Sequence, residues 1–450
     1  MTRIARDRIA ALRAEEAQRF VALHPRSVAL AEPTARHFLF GVPMHWMNDW
    51  SPPTPLFAAC AQGARFTCAD GIEHADFCLG DTGAMFGHSP PPVAAALARQ
   101  AARGYTTMLP SEDAAAVGAL LTERFGLPFW QLALTATDAN RFVLRWARAV
   151  TGRKQIVVFN GCYHGTVDDV FVDLVDGKPA QRDSLLGQAH DLRQFTRVVE
   201  FNDIAALEAA LADGQVACVI TEPALTNIGM VLPAPGFLDA VRELTQRHGS
   251  LLVFDETHTI STGLGGWTRT YGPTPDMLVL GKPVAGGLPC AVYGFNADLA
   301  ERMRRAKAEA PPGHSGIGTT LSGNMLGIAA LRANLAEVMT GDAYATMLPL
   351  AERLAAGLRE IIARHRLPWC VTRVGARCEF QFCSTAPRNG SEAGAADDHE
   401  LSQAIHLALL NRGAMITPFH NMMLVCPATT GADIDHLLAA FDAVLDRLTA

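Results

Sequence analysis

The chain has 450 residues, is 49% hydrophobic and carries a formal net charge of −7. That length buries a large core and suggests more than one domain. The mild acidity comes without blocks of like charge and offers no basic face for nucleic acid or an anionic membrane surface. Its ten cysteines are scattered, with no C-x-x-C pair and no His/Cys cluster at zinc spacing. They read as reduced thiols of a cytoplasmic protein, and no metal is expected. No apolar run approaches membrane-spanning length.

The first twenty residues are rich in Arg and Ala, but Asp7, Glu15 and Glu16 interrupt them. They read as an amphipathic surface helix and not as a transit peptide. An aromatic and proline-rich arm follows, with His45, Trp46, Trp50 and Phe57, either as packing or as the lining of an apolar pocket. Residues 64–70 and 73–79 form a predicted hairpin about Asp70-Gly71. Helices are expected from Pro91, opened by prolines, and after Ser111, running to about Phe125.

From about Gln131 strands and helices alternate. Strands are expected at 132–134, 155–159, 216–221, 251–254, 277–280 and 291–295, and helices at 138–150, 205–212 and 235–248. This rhythm indicates a mostly parallel sheet covered by helices on both faces. A long helical pattern then leads into a second α+β region, in which residues 387–398 read as a polar loop. The expected division is an N-terminal helix and arm (1–70) packing with a small domain, a large domain (71–327), and a C-terminal small domain (328–450).

Two charged residues stand where charge is expensive. Asp255 ends the apolar run Leu251–Phe254. Lys282 follows Met277–Leu280 and Gly281, just before a glycine-rich turn. The carboxyl edge of an open α/β sheet is where ligands sit. Only four of the 38 basic residues are lysines. Lys154, Lys178 and Lys307 lie in polar or charged surroundings, which leaves Lys282 as the candidate Schiff-base lysine. A carboxylate such as Asp255 is the partner a pyridinium nitrogen needs, so the pair points to pyridoxal phosphate.

Four further segments supply what that cofactor would require. Thr135–Asn140 lies between a strand and a helix start, and is either an ordinary cap or a phosphate cradle. Tyr163, flanked by Gly161 and Gly165, can lie on a planar ring or be a half-buried turn residue. A dyad or metal role for the adjacent His164 is disfavoured, because no partner lies at useful spacing. Glu222, with Asn227 after it, can orient Asp255 or contact the cofactor, or simply cap a buried loop. Residues 318–324, with Thr320, offer a second anion site or another cap.

These residues are also those of a known family. With Glu222-Pro223, Phe254-Asp255-Glu256, Leu280-Gly281-Lys282, Gly161–Gly165 and Leu321–Asn324, the chain resembles the class III aminotransferases of pyridoxal-phosphate fold type I. It is most similar to their glutamate-1-semialdehyde 2,1-aminomutase branch. The resemblance implies an α/β large domain with a smaller α+β domain. It gives the Schiff base to Lys282, the ring nitrogen to Asp255, ring stacking to Tyr163, and the phosphate to Ala136 and Thr137. It places Thr320 on the phosphate of a neighbouring subunit, so a homodimer with shared sites is expected. Arg36 either holds a substrate carboxylate or is a surface arginine. Asp81 stands where relatives are apolar or aromatic, and either reads a substrate group or caps a turn. After Asp255-Glu256 the residues Thr257–Ser261 depart from the family pattern, which lets His258 enter the site. The expected activity is amino transfer from an amino acid, including a β- or non-standard one, to a keto acid. The alternatives are an aminomutase of the glutamate-1-semialdehyde type and an amino-acid racemase or epimerase.

Overall fold

The computed structural model describes residues 4–450, which divide into two compact units. One holds residues 91–341 with 387–395; the other holds everything before 91 together with 342–386 and 396–450.

The first unit is built on seven strands: β1 (Phe129–Ala133), β2 (Gln155–Phe159), β3 (Thr196–Val199), β4 (Val216–Thr221), β5 (Leu251–Asp255), β6 (Met277–Leu280) and β7 (Ala291–Phe295). Their order across the sheet is β1-β7-β6-β5-β4-β2-β3. Only β7 runs antiparallel to its neighbours. Every residue of β4, β5, β6 and β7 is buried. That is why these segments are continuous apolar runs with no alternation: a strand covered on both faces has no solvent side. Asp276, just before β6, ties the opposite edge together. It accepts from Arg242 (2.9 Å), the Leu252 amide (2.8 Å) and Asn296 (2.9 Å).

Helix α1 (Ala136–Thr151) leaves β1 almost at once. Thr135 caps it by accepting the Asp138 amide, and it buries Ala139, Phe142, Val143 and Ala147 on one stripe. That i, i+3, i+4, i+8 spacing is the face a helix lays on a sheet. Each large side chain so buried contributes about 1.5–3 kcal/mol. The strands expected at 155–159, 216–221, 277–280 and 291–295 form as read. β3 was not anticipated; nor was the small hairpin of Val172–Val175 with Lys178–Gln181. Residues 387–398 are not simply a loop. Gly390–Ala395 is a short helix, and the Gly390 amide and Ser391 hydroxyl bind Glu200.

The second unit carries the N-terminal helix Arg6–Leu23, which buries Ile9, Leu12, Glu16 and Phe20. The 65–76 hairpin forms, and its strand Glu73–Asp76 also pairs with Ala414–Met415. This pairing moves the unit boundary from the expected 70 to Pro90. The other boundary moves from 327 to Gly341, because helix α2 (Met325–Ala333) packs on helix Pro91–Ala101. Among the described residues no helix is long and apolar enough to cross a membrane.

Candidate active site

Five loops leave the sheet of the first unit at carboxyl ends of strands, and their side chains converge. Asp255, the last residue of β5, is 4% exposed. One carboxylate oxygen accepts Asn140 Nδ2 at 2.8 Å and faces His164 Nδ1 at 3.1 Å; the other accepts the Thr257 amide at 3.1 Å. Burial pushes this carboxyl up, but His164, Thr257 and Asn140 outweigh it and hold Asp255 below the ordinary range. Burial likewise pushes the His164 imidazole down, and the hydrogen bond and charge of Asp255 raise it well above its usual value. The pair is therefore an ion pair at neutral pH.

Glu222 follows the end of β4 and is also buried. It accepts the Thr226 amide and hydroxyl. Burial raises it to about 7, against the opposing pull of Thr226 and His164. Asn227, expected beside it, is exposed, and Thr226 takes the position on Glu222.

Lys282 is half-buried in the turn after β6, with a left-handed φ of +44°. A side chain in that region is uncommon and is held only where the surroundings over-determine it. Here Asn334 does so: its Nδ2 donates to the carbonyls of Pro283 (2.9 Å) and Val284 (2.8 Å) from a wider helical turn that continues α2. Such turns recur at functional sites. Gly281 is needed because a Cβ there would lie 2.8 Å from the Ala136 Cβ. The lysine turn thus abuts the first turn of α1.

That first turn keeps the amides of Ala136 and Thr137 outside the helix's own bonding, while Thr135 takes those of Asp138 and Ala139. The Thr137 hydroxyl accepts the Thr166 amide at 3.1 Å. Gly165 (φ +76°) has no room for a Cβ against Thr137. The Tyr163–Gly165 loop is thereby pressed onto the helix start, with Tyr163 half-buried.

His258 lies three residues beyond Asp255, and its Nε2 is 2.8 Å from Lys282 Nζ. Its backbone is fixed by Glu256, which is fully buried and accepts the Thr259 hydroxyl and the Trp267 and Thr268 amides. Burial raises the Glu256 carboxyl.

The structure thus brings together Lys282, Asp255, Glu222, Ala136, Thr137, Tyr163 and His258. Thr320 is exposed on the loop that precedes α2. The other two expected residues lie in the second unit. Arg36 is an exposed arginine paired with Glu32 one helical turn back at 2.6 Å. Asp81 sits in a turn with left-handed Leu79, Asp81 and Thr82, in a polar cluster where buried Arg377 donates to Thr82 (2.8 Å) and Glu379 meets His420 (2.9 Å). Trp46 and Trp50 of the aromatic arm stack, with Phe419 edge-on to both. The arm lines a cavity of about 210 Å³.

Sequence reasoning missed His164, Asn140 and Asn334 as working residues. Asn140 lies one helical turn past Ala136, so the cap reading already placed it on the site side of α1. His164 and Asn334 meet their partners across 91 and about 50 residues, which no local spacing reveals.

The model of the class-III aminotransferases matches residues 46–445. The chain belongs to that family. A glutamate-1-semialdehyde 2,1-aminomutase of Chloroflexus aggregans is 34% identical over 407 residues, 88% of this chain and 91% of that one. A protein from Pseudomonas aeruginosa PAO1, solved as a glutamate-1-semialdehyde-aminomutase, superposes with a TM-score of 0.97 at 50% identity over 99% of both chains. A lysine-to-alanine variant of it was solved in complex with PMP. A β-phenylalanine aminotransferase of Variovorax paradoxus gives a TM-score of 0.85 at 27% identity over 97% of both chains. The chain is a pyridoxal-phosphate-dependent class III enzyme with the fold of that family. Its own residues fit the cofactor: an ionised, buried carboxylate, an amine on a rigid turn, and free helix-start amides adjoin one another.

Proposed function

We propose that this enzyme is an aminomutase of the glutamate-1-semialdehyde type, exchanging the amine and oxo groups of neighbouring carbons within one small substrate. The observation that carries this reading is the 50% identity, without large gaps at either end, to the Pseudomonas aeruginosa aminomutase. When bound, pyridoxal phosphate supplies a carbonyl that captures an amine and an electron-poor ring that accepts the electron pair of an adjacent C–H bond. The chain's residues do the rest. Lys282 would hold the cofactor's carbonyl carbon, and its amine would take and return the proton. Asp255, kept ionised by His164 and Asn140, keeps the ring nitrogen protonated. The Ala136 and Thr137 amides would hold the phosphate, Tyr163 would lie against the ring, and Glu222 would back Asp255.

The same reading includes a homodimer in which Thr320 reaches the partner's phosphate. In support, Thr320 is exposed together with the large apolar residues Tyr105, Met108, Leu109 and Leu321 of the same unit. A cytoplasmic location accords with ten cysteines scattered along the chain without a C-x-x-C pair.

The test is to give the loaded enzyme glutamate 1-semialdehyde alone and follow the isomer bearing its amine at C1 by NMR. Product from a single substrate is expected. Product only when an amino donor and a keto acid are both supplied would instead support the second reading, an aminotransferase for a β- or aromatic amino acid. That reading is favoured by the likeness to the Variovorax enzyme and by the Trp46–Trp50 cavity.

A further inference from the structure

The Lys282 amine and the His258 ring are each delivered by backbone that cannot easily move. Asn334 pins the lysine turn from α2. Glu256 holds the segment that follows residue 258: its carboxylate accepts the Thr259 hydroxyl and the Trp267 and Thr268 amides, and its carbonyl accepts the Ile260 amide at 3.0 Å. The Ser261 amide closes onto the His258 carbonyl at 3.1 Å. The 2.8 Å approach of Nε2 to Nζ is therefore the outcome of two rigid placements, and it falls at the atom that must carry a proton from one carbon to another. An imidazole is the one side chain whose unperturbed titration lies near neutrality, so it can both accept and return a proton.

We propose that His258 is a second proton-handling group of the active site, acting directly on Lys282. The proposal rests on the pyridoxal-phosphate chemistry assigned to Lys282 above and not on the identity of the substrate. The C–H bond of the amino-bearing carbon breaks, its electron pair remains on the substrate side, and the proton adds to the lone pair of Lys282 Nζ. With its own proton on Nδ1, His258 presents the Nε2 lone pair to the resulting ammonium and takes one proton from it. The imidazolium then returns a proton to the neutral amine, which delivers it to the receiving carbon. No oxidant or co-reactant is consumed. Two consequences follow. The ring orients the amine whenever it is free, and it opens the transferred proton to exchange with solvent.

The experiment uses His258→Gln, which keeps a hydrogen-bonding group at the position but cannot titrate. With only four lysines in the chain, ¹⁵Nζ-lysine NMR of the enzyme loaded with pyridoxamine phosphate gives few signals, and Lys282→Arg identifies that of Lys282. His258→Gln is expected to shift the Lys282 signal and leave those of Lys154, Lys178 and Lys307 in place. In D₂O with protiated glutamate 1-semialdehyde, the wild type should incorporate deuterium at the amino-bearing carbon of the product. The variant should retain more of the substrate's own hydrogen, and kcat should fall about 10²-fold with KM little changed. Unchanged incorporation and an unmoved Lys282 signal would overturn the proposal. So would a folded variant that no longer binds the cofactor, because His258 would then be a cofactor-binding residue. If the wild type leaves glutamate 1-semialdehyde untouched, the aminomutase reading fails, while the lysine spectrum still decides the contact between His258 and Lys282.

Discussion

Asp255 and Glu222 are two carboxylates at the ends of adjacent strands, both almost wholly removed from water, yet they are driven in opposite directions. Burial raises both. Asp255 meets an imidazolium, an amide side chain and a backbone N–H, and remains an anion. Glu222 accepts the hydroxyl and amide of Thr226 and feels His164 only as a nearby charge, which does not offset its burial, so it sits at about 7. Depth alone therefore does not say which acid serves a cationic ring. The partners say it, and the protein has spent them on Asp255.

The strongest way to break this contrast is to remove the anion that the partners protect. Asp255→Asn keeps the shape and most of the hydrogen-bonding capacity, but leaves no charge to hold a pyridinium. Turnover is expected to fall by about 10²–10³-fold, the scale for losing one preorganised electrostatic group. The near-visible band of the loaded enzyme should also lose intensity or shift. Glu222→Gln under the same assay should lose far less; equal losses would mean the two acids share one role.

His164→Leu comes next. It leaves Asp255 buried with one oxygen short of its cation, which costs about 3–5 kcal/mol for a broken buried pair. Asp255 has a lowered value, so its share of stability is present above the unfolded value of 3.8 and is lost as pH falls through the folded one. His164 has a raised value, so its share is present below the unfolded value of 6.5 and is lost as pH rises through the folded one. The gap in melting temperature between wild type and variant should therefore be widest between these limits and shrink on both sides. The acid limb of the activity profile should also move upward, as Asp255 loses the group that lowers it. A gap independent of pH would mean that His164 is only packing.

These residues also mark how far the sequence was readable. The strands and their charged ends were legible because a strand buried on both faces must be a short, unbroken apolar run, so Asp255 and Lys282 stood out as exceptions. Thr135 and the first turn of α1 were legible because capping is local. His164, Asn334 and Thr226 were not, because each works through a partner chosen by folding: two lie far away in sequence, and the third displaced its neighbour Asn227 by the direction of one loop. Which of the two readings of Arg36 fits its placement was not legible for a related reason. Arg36 closes a second short helix, Pro25–Ala35, and its guanidinium pairs locally with Glu32 one turn back; nothing in the composition signalled that separate helix.

The smallest expected effect is the most discriminating for Glu222. Its folded value of about 7 lies above the ordinary 4.5, so between these limits the folded state binds more protons than the unfolded one. Stability then falls as pH rises through this window, and above it the ionised, poorly partnered carboxylate is a standing cost of roughly 3 kcal/mol at most. Below pH 4.5 both states are protonated and the cost vanishes. Glu222→Gln removes the titration and keeps an oxygen for Thr226. It should match the wild type in thermal melts near pH 4 and exceed it at pH 8. If the variant is instead destabilised at pH 8, the Glu222 anion has a partner as effective as those of Asp255, and the two acids differ only in position.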